Sequence, residues 1–353
     1  MQTYHKIFIG PAQYLSSTKD NTVDLIVTSP PYPMIEMWDE VMIKQNHEIA
    51  DYIQTEPSVA FELMHKELDK VWAQCLRVLK PGGFLCINVG DATRSINGNF
   101  ALYNNHSRIS KACIDLGFVS LPNIIWRKQT NAPNKFMGSG MLPCGAYVTL
   151  EHEWILIFRN GDKRVYKTAD AKLLRMKSSY FWEERNVWFS DIWNIKGTKQ
   201  NLQKTNTRER SAAFPFEVPY RLINMFSQKG DTILDPFLGT GTTMQAAILT
   251  GRNSVGYDID SNFESIIRNG IEELNLDNCN ASIKNRFDAH KEFVINREKD
   301  GKEIKHYNSK LNCKVMTKQE SEIELNYLTS IKINETGDYV VKYEEDSNLN
   351  VLP

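Results

Sequence analysis

No C-x-x-C pair occurs anywhere in this 353-residue chain. Its six cysteines (Cys75, Cys86, Cys113, Cys144, Cys279 and Cys313) are scattered. That pattern argues against a cysteine-built zinc site and a disulfide frame, and for reduced thiols. No metal ligands are assigned. No apolar run approaches the roughly 18 residues that a bilayer span requires, so no membrane partner is expected. The opening "MQTYHKIFIGPAQY" lacks a leader pattern, and a cytoplasmic location is expected. Repeats and low-complexity tracts are absent too.

Net charge is only −1, but its distribution is uneven. From Arg159 to Arg210 there are 13 Lys or Arg against 6 Asp or Glu, a local excess of 7. A basic block in an otherwise acidic chain fits a phosphate-facing surface, and equally a solvated insertion. Tyr180, Phe181, Trp182, Trp188, Phe189 and Trp193 are interleaved with its charges.

Short apolar runs alternate with helical stretches, which predicts an α/β fold with a doubly wound, mainly parallel sheet. "KIFIG", "VDLIVT", "FLCINVG" and "LPNIIWRK" read as strands. A helix should follow Pro57, since Phe61, Met64, Leu68, Val71, Cys75 and Val78 recur at helical spacing. "AYVTLEHEWILIFRNG" reads as a strand pair or a long strand near a sheet edge. Beyond residue 276 the chain turns polar, with a hairpin expected around Thr336-Gly337, and reads as an appended module.

Two stretches carry chemistry. "LDPFLGTGTT", residues 234–243, joins a strand to a helix. Glycines there let a ligand approach the backbone and the free N–H groups of a helix start. No lysine follows Gly241, so it is not a nucleoside-triphosphate loop. A dinucleotide fingerprint wants a third glycine where this chain has Met244. What remains is a nucleoside without phosphates. Asp235 would attract an ammonium group, and Asp258, about 20 residues beyond the glycines, suits ribose hydroxyls. S-adenosylmethionine fits that description.

The second stretch is "DLIVTSPPY", residues 24–32, where an apolar strand is broken by two prolines. Proline donates no ladder bond and locks φ, so the strand must stop there. Together these stretches resemble the amino-methyltransferases of DNA, in the permuted β class, which alkylate the exocyclic nitrogen of cytosine or adenine. The resemblance spans roughly residues 5–270. It implies a Rossmann-like class I methyltransferase fold: a catalytic half over 1–159, a target-recognition segment over 160–205, a cofactor-binding half over 206–275 and a C-terminal extension over 276–353. It implies catalytic roles for Ser29, Pro30, Pro31 and Tyr32, with Tyr32 stacking on a flipped base. It implies cofactor contacts from Gly10, Ala12, Phe214, Asp235, Pro236, Phe237, Gly239, Gly241, Thr242, Thr243, Asp258 and Ile259. Double-stranded DNA is the implied partner, with Arg127, Lys128, Lys196 and Lys199 near it. Gln200, Asn201, Gln203 or Asn206 would reach base edges. Pro11 stands where the family often has an acid, and Ser211 where it often has histidine.

Serine at position 29 goes mostly with cytosine N4 in that family, and aspartate with adenine N6. An RNA or protein amine methyltransferase, and a DNA-binding module without chemistry, are the rival readings. Methylation at cytosine C5 needs a cysteine nucleophile. Cys144 reads as a loop residue, because the amine motif explains the site without it. Residues 33–40 read as a lip over the base pocket.

Overall fold

The computed structural model describes residues 1–128, 138–197 and 214–344. An eleven-stranded sheet organises them. Five strands in its middle run parallel, in the order Gln2–Ile9, Asn253–Asp258, Thr232–Asp235, Val23–Thr28 and Leu79–Val89. Beyond Leu79–Val89 the strand His152–Asn160 runs antiparallel. It pairs in turn with Ile124–Arg127 and Phe118–Ser120, and Ile192–Asn194 forms that edge. The "HEWILIFRN" stretch is thus a single interior strand, not a strand pair.

Both faces of the sheet are covered, which is why the central strands read as unbroken apolar runs. All six residues of Val23–Thr28 are buried. Ile26 packs with the helix Pro57–Val78 on one face. Leu25 and Val27 pack on the other, with the helices Glu217–Phe226 and Thr242–Thr250. The Pro57 helix ends at Val78, and the following strand already begins at Leu79, running through the Pro81-Gly82 break.

The chain leaves Val23–Thr28 toward Leu79–Val89 but leaves Thr232–Asp235 toward Asn253–Asp258, in the opposite direction across the sheet. A crevice therefore opens at the carboxyl ends between the first two strands of each move, the usual ligand position in open α/β sheets.

The tail does not stand apart. Leu328–Ile333 and Tyr339–Tyr343 form the expected hairpin, and the latter strand adds antiparallel to Gln2–Ile9. The helix Leu276–Lys299 shares an apolar cluster with these strands. It is clamped to the basic segment by Arg286, whose Nε and Nη2 donate to both oxygens of Glu184 at 2.6 and 2.8 Å. The Phe181 ring stacks on His290 at 3.9 Å. Trp188 and Trp193 are buried as well. The aromatics of residues 180–193 thus largely serve packing.

Removing one partner of a buried ion pair strands the other charge. Arg286→Met should therefore lower unfolding free energy by about 3 kcal/mol in a urea titration. A loss below about 1 kcal/mol, the range of a surface pair, would mean that the tail is only loosely attached.

Candidate active site

The carboxyl ends of Val23–Thr28 and Thr232–Asp235 are joined by one buried carboxylate. Asp235 is 3% exposed. Its Oδ1 accepts the Thr28 hydroxyl at 2.7 Å and the Phe237 N–H at 3.1 Å, and its Oδ2 accepts the Thr243 hydroxyl at 2.7 Å. Burial pushes its pKa up to about 6, against the pull of these donors. Asp235 is therefore committed to holding the proline ledge against the glycine turn. Contact with a ligand ammonium, expected from its position in the sequence, would have to compete with three internal donors.

Past Asp235 the chain makes its glycine turn. Gly239 and Gly241 take φ of 53° and 84°, a region that side chains disfavour. A Cβ at Gly241 would also come 3.1 Å from Ile267. Gly241 caps the helix Thr242–Thr250. The Gly239 N–H donates to Asp258 Oδ2 at 2.8 Å, and the Asp260 N–H to Asp258 Oδ1 at 2.9 Å. Burial lifts Asp258 to about 6. Each Asp258 oxygen keeps acceptor capacity beyond its backbone partner, which suits a diol.

A cleft at these strand ends brings together most of the expected set. Ser29, Pro30, Pro31, Ala12, Phe214, Asp235, Pro236, Phe237, Gly239, Thr242, Thr243, Asp258 and Ile259 all line it. Gly10 and Gly241 shape it from behind. The Gly10 N–H bonds to the Asp258 carbonyl at 2.8 Å. The expected lip is instead part of the wall. Trp38, Val41 and Gln45 line the cleft from a short helical segment, and Arg94 fastens it through a two-bond pair to Asp39 at 2.9 and 2.7 Å.

Tyr32 departs from expectation. Its ring is 4% exposed and packs over Gly90, where a Cβ would come within 3.1 Å of it. In this conformation it offers no open face for stacking on a base. Its hydroxyl instead joins a polar cluster. Tyr32 donates to Glu153 Oε2 at 3.0 Å, and its oxygen lies 2.9 Å from Ser29 Oγ. Asn88 Nδ2 donates to Tyr32 Oη at 2.8 Å and to Glu153 Oε2 at 2.6 Å. Lys128 engages the other Glu153 oxygen. Burial first, and then the Glu153 charge, push the Tyr32 phenol well above its ordinary range.

Glu153 and Asn88 escaped the sequence reading because sheet pairing, not a local motif, places them. Asn88 stands opposite Ile155 and Val89 opposite Trp154, so continuing the pairing sets Gly90 beside Glu153. A glycine after the apolar strand "FLCINV" was the available signal.

Of the basic residues expected near DNA, Arg127 and Lys128 lie at the catalytic ends of the strands. Ile124–Arg127 runs parallel to Ile192–Asn194, so exposed Lys196 emerges at the same end. Lys199, Gln200, Asn201, Gln203, Asn206 and Ser211 fall outside the described residues. The earlier part of the basic block is elsewhere. Arg164 pairs with Asp231 at 2.8 Å and with Asp24 at 3.4 Å. Both acids sit at the amino ends of the central strands. Cys144 is exposed, whereas the other five cysteines are buried.

Comparison with known proteins agrees with this geometry. Residues 23–269 match the family described as DNA methylase. The type II methyltransferase M.MthZI of Methanothermobacter thermautotrophicus is 48% identical over 348 residues, covering 98% of this chain and 96% of that protein. M.MjaI of Methanocaldococcus jannaschii is 51% identical over 281 residues, covering 76% and 91% respectively. Among solved structures, the DNA modification methylase TTHA0409 of Thermus thermophilus, in complex with S-adenosyl-L-methionine, aligns with a TM-score of 0.58 at 31% identity, over 75% of this chain and 92% of that one. The cytosine-N4-specific PvuII DNA methyltransferase shares the fold, with a TM-score of 0.50 at 18% identity over 75% of this chain and 86% of that one. The chain thus belongs to the DNA methylase family, as a methyltransferase that takes S-adenosylmethionine as its cofactor.

Proposed function

We propose that this methyltransferase modifies the exocyclic N4 of a cytosine flipped out of duplex DNA, at a specific sequence, as the modification partner of a restriction enzyme. The observation that carries this reading is the direction of the hydrogen bonds at Ser29. Tyr32 keeps its proton and gives it to Glu153. Ser29 must then be the donor in its bond to Tyr32. That leaves the lone pairs of Ser29 Oγ free to accept.

An exocyclic amine on a base is a weak nucleophile, because its lone pair is delocalised into the ring. Acceptors aimed at its two N–H groups favour a pyramidal nitrogen, by the logic of an oxyanion hole with the sign reversed. Ser29 Oγ and the Pro30 carbonyl are those acceptors. Pro31 fixes the Pro30 carbonyl and contributes no competing N–H. Bound S-adenosylmethionine supplies a methyl group made electrophilic by its sulfonium. Asp258 receives the ribose hydroxyls, Phe214 and Ile259 enclose the adenine, and the glycine turn lets the backbone approach. Ser29, Tyr32 and Glu153 then line up as a route for the proton that the methylated amine must shed. No covalent enzyme intermediate is needed. The base must first leave the helix, at a cost of a few kcal/mol.

Arg127 and Lys196 reach toward phosphates at the catalytic end. Lys128 serves both DNA and Glu153. Serine at position 29 favours cytosine, and adenine N6 is the alternative, since the same two acceptors would suit its amine.

Duplex DNA methylated by the protein, digested to nucleosides and analysed by mass spectrometry, should yield N4-methylcytosine. N6-methyladenine alone would refute the choice of base, and 5-methylcytosine would refute the mechanism. Tyr32→Phe and Glu153→Gln should each lower kcat by about 10- to 100-fold, the size of general acid–base effects. Affinity for the cofactor should stay within about two-fold. Because both variants interrupt one line of bonds, the double variant should be little worse than either single one. Additive losses, or an unchanged kcat, would show that the line does not assist transfer.

A further inference from the structure

A second cleft, of about 750 Å³, lies at the amino ends of the central strands, marked by Asp24, Gly82 and Asp231 in its lining. The catalytic residues stand at the opposite ends, so methyl transfer does not use this cleft. Its size is that of a small-molecule site.

Its charges are unbalanced. Lys80, Arg164, Lys172, Arg175 and Arg185 line it, against Asp24, Asp231 and Glu320. The three carboxylates are already satisfied. Asp24 accepts from Lys80 at 2.7 Å and from the Thr232 N–H at 3.0 Å. Asp231 accepts from Arg164 at 2.8 Å. Glu320 accepts from the Trp182 N–H at 2.8 Å and from the Thr317 hydroxyl at 2.7 Å. Lys172, Arg175 and Arg185 are exposed and have no carboxylate partner among the described residues.

Aromatic rings stand among these cations. The guanidiniums of Arg175 and Arg164 lie 4.6 and 5.4 Å from the Tyr166 ring centre. Burial raises the Tyr180 phenol, and the nearby Arg185 and Arg175 oppose that rise. Free guanidiniums suit phosphate, and tyrosine faces beside them suit a heterocyclic base. We propose that this cleft is a second binding site of the protein, for a nucleoside phosphate, taken either as a free nucleotide or as the phosphorylated end of a nucleic-acid strand.

The test uses the full chain with its catalytic-side cleft filled by excess S-adenosylhomocysteine. A fluorescent ATP analogue and a labelled 5′-phosphorylated trithymidylate are titrated separately. Saturable binding of either probe is expected, weakened at least ten-fold in Arg175→Glu/Arg185→Glu. Methylation of duplex DNA by that variant should be unchanged, which also verifies its fold. Lys172→Glu, at an exposed side chain, should weaken the same probe. Binding of the nucleotide identifies the free ligand as the source, and binding of the oligonucleotide alone identifies the strand end. Failure of both probes to saturate, or binding that both variants leave intact, would overturn the proposal.

Discussion

The buried carboxylate of Asp235 is the constraint on which the rest of this site depends. It stands at the end of one central strand and takes a hydroxyl proton from Thr28 at the end of the next. Its other oxygen takes one from Thr243, inside the helix that follows the glycine turn. A carboxylate so buried is costly unless its acceptor positions are filled. The two threonines and the Phe237 N–H fill them, and in doing so they fix three elements relative to one another. Hydrogen bonds to a charged group contribute roughly 1.5–3 kcal/mol each, so the arrangement is stiff as well as satisfied.

From that junction the two functional surfaces diverge. On one side, the turn through Gly239 and Gly241 presents backbone and Asp258 to the cofactor. On the other, the ledge Ser29-Pro30-Pro31 presents a hydroxyl and a carbonyl to the base. The sheet places the two at a crevice where its connections reverse, so methyl donor and acceptor share one wall. Behind the ledge, Tyr32 and Glu153 orient the Ser29 hydroxyl. The opposite ends of the same strands hold a cationic cleft with different chemistry.

The parts legible in the sequence were those that a few consecutive residues determine. Two prolines must end a strand wherever they occur, and paired glycines after a strand announce a tight turn with positive φ. Both motifs therefore located their ends of the sheet correctly. Glu153 and Asn88 were not legible, because strand pairing brings them beside Ser29 from 124 and 59 positions away. Tyr32 was legible as an aromatic but not as a buried one, since its burial depends on the missing side chain at Gly90. The basic block shows most clearly what charge pattern leaves open. Arg164 and Lys196 belong to one run in the sequence, yet they emerge at opposite ends of the sheet. The tail, read as an appendage, adds strands to the sheet because Gln2–Ile9 would otherwise leave an open edge.

If Asp235 couples ledge and cofactor turn, a change on the ledge side should be felt by the cofactor. Thr28 is fully buried and lies outside the cofactor cleft, so Thr28→Val removes one hydroxyl without touching the ligand. Calorimetric titration of this variant with S-adenosylmethionine is the most direct measurement. The coupled arrangement predicts an affinity about five- to ten-fold weaker than that of the natural protein, the effect of about 1 kcal/mol transmitted through one hydrogen bond. An unchanged affinity in a folded variant would contradict it.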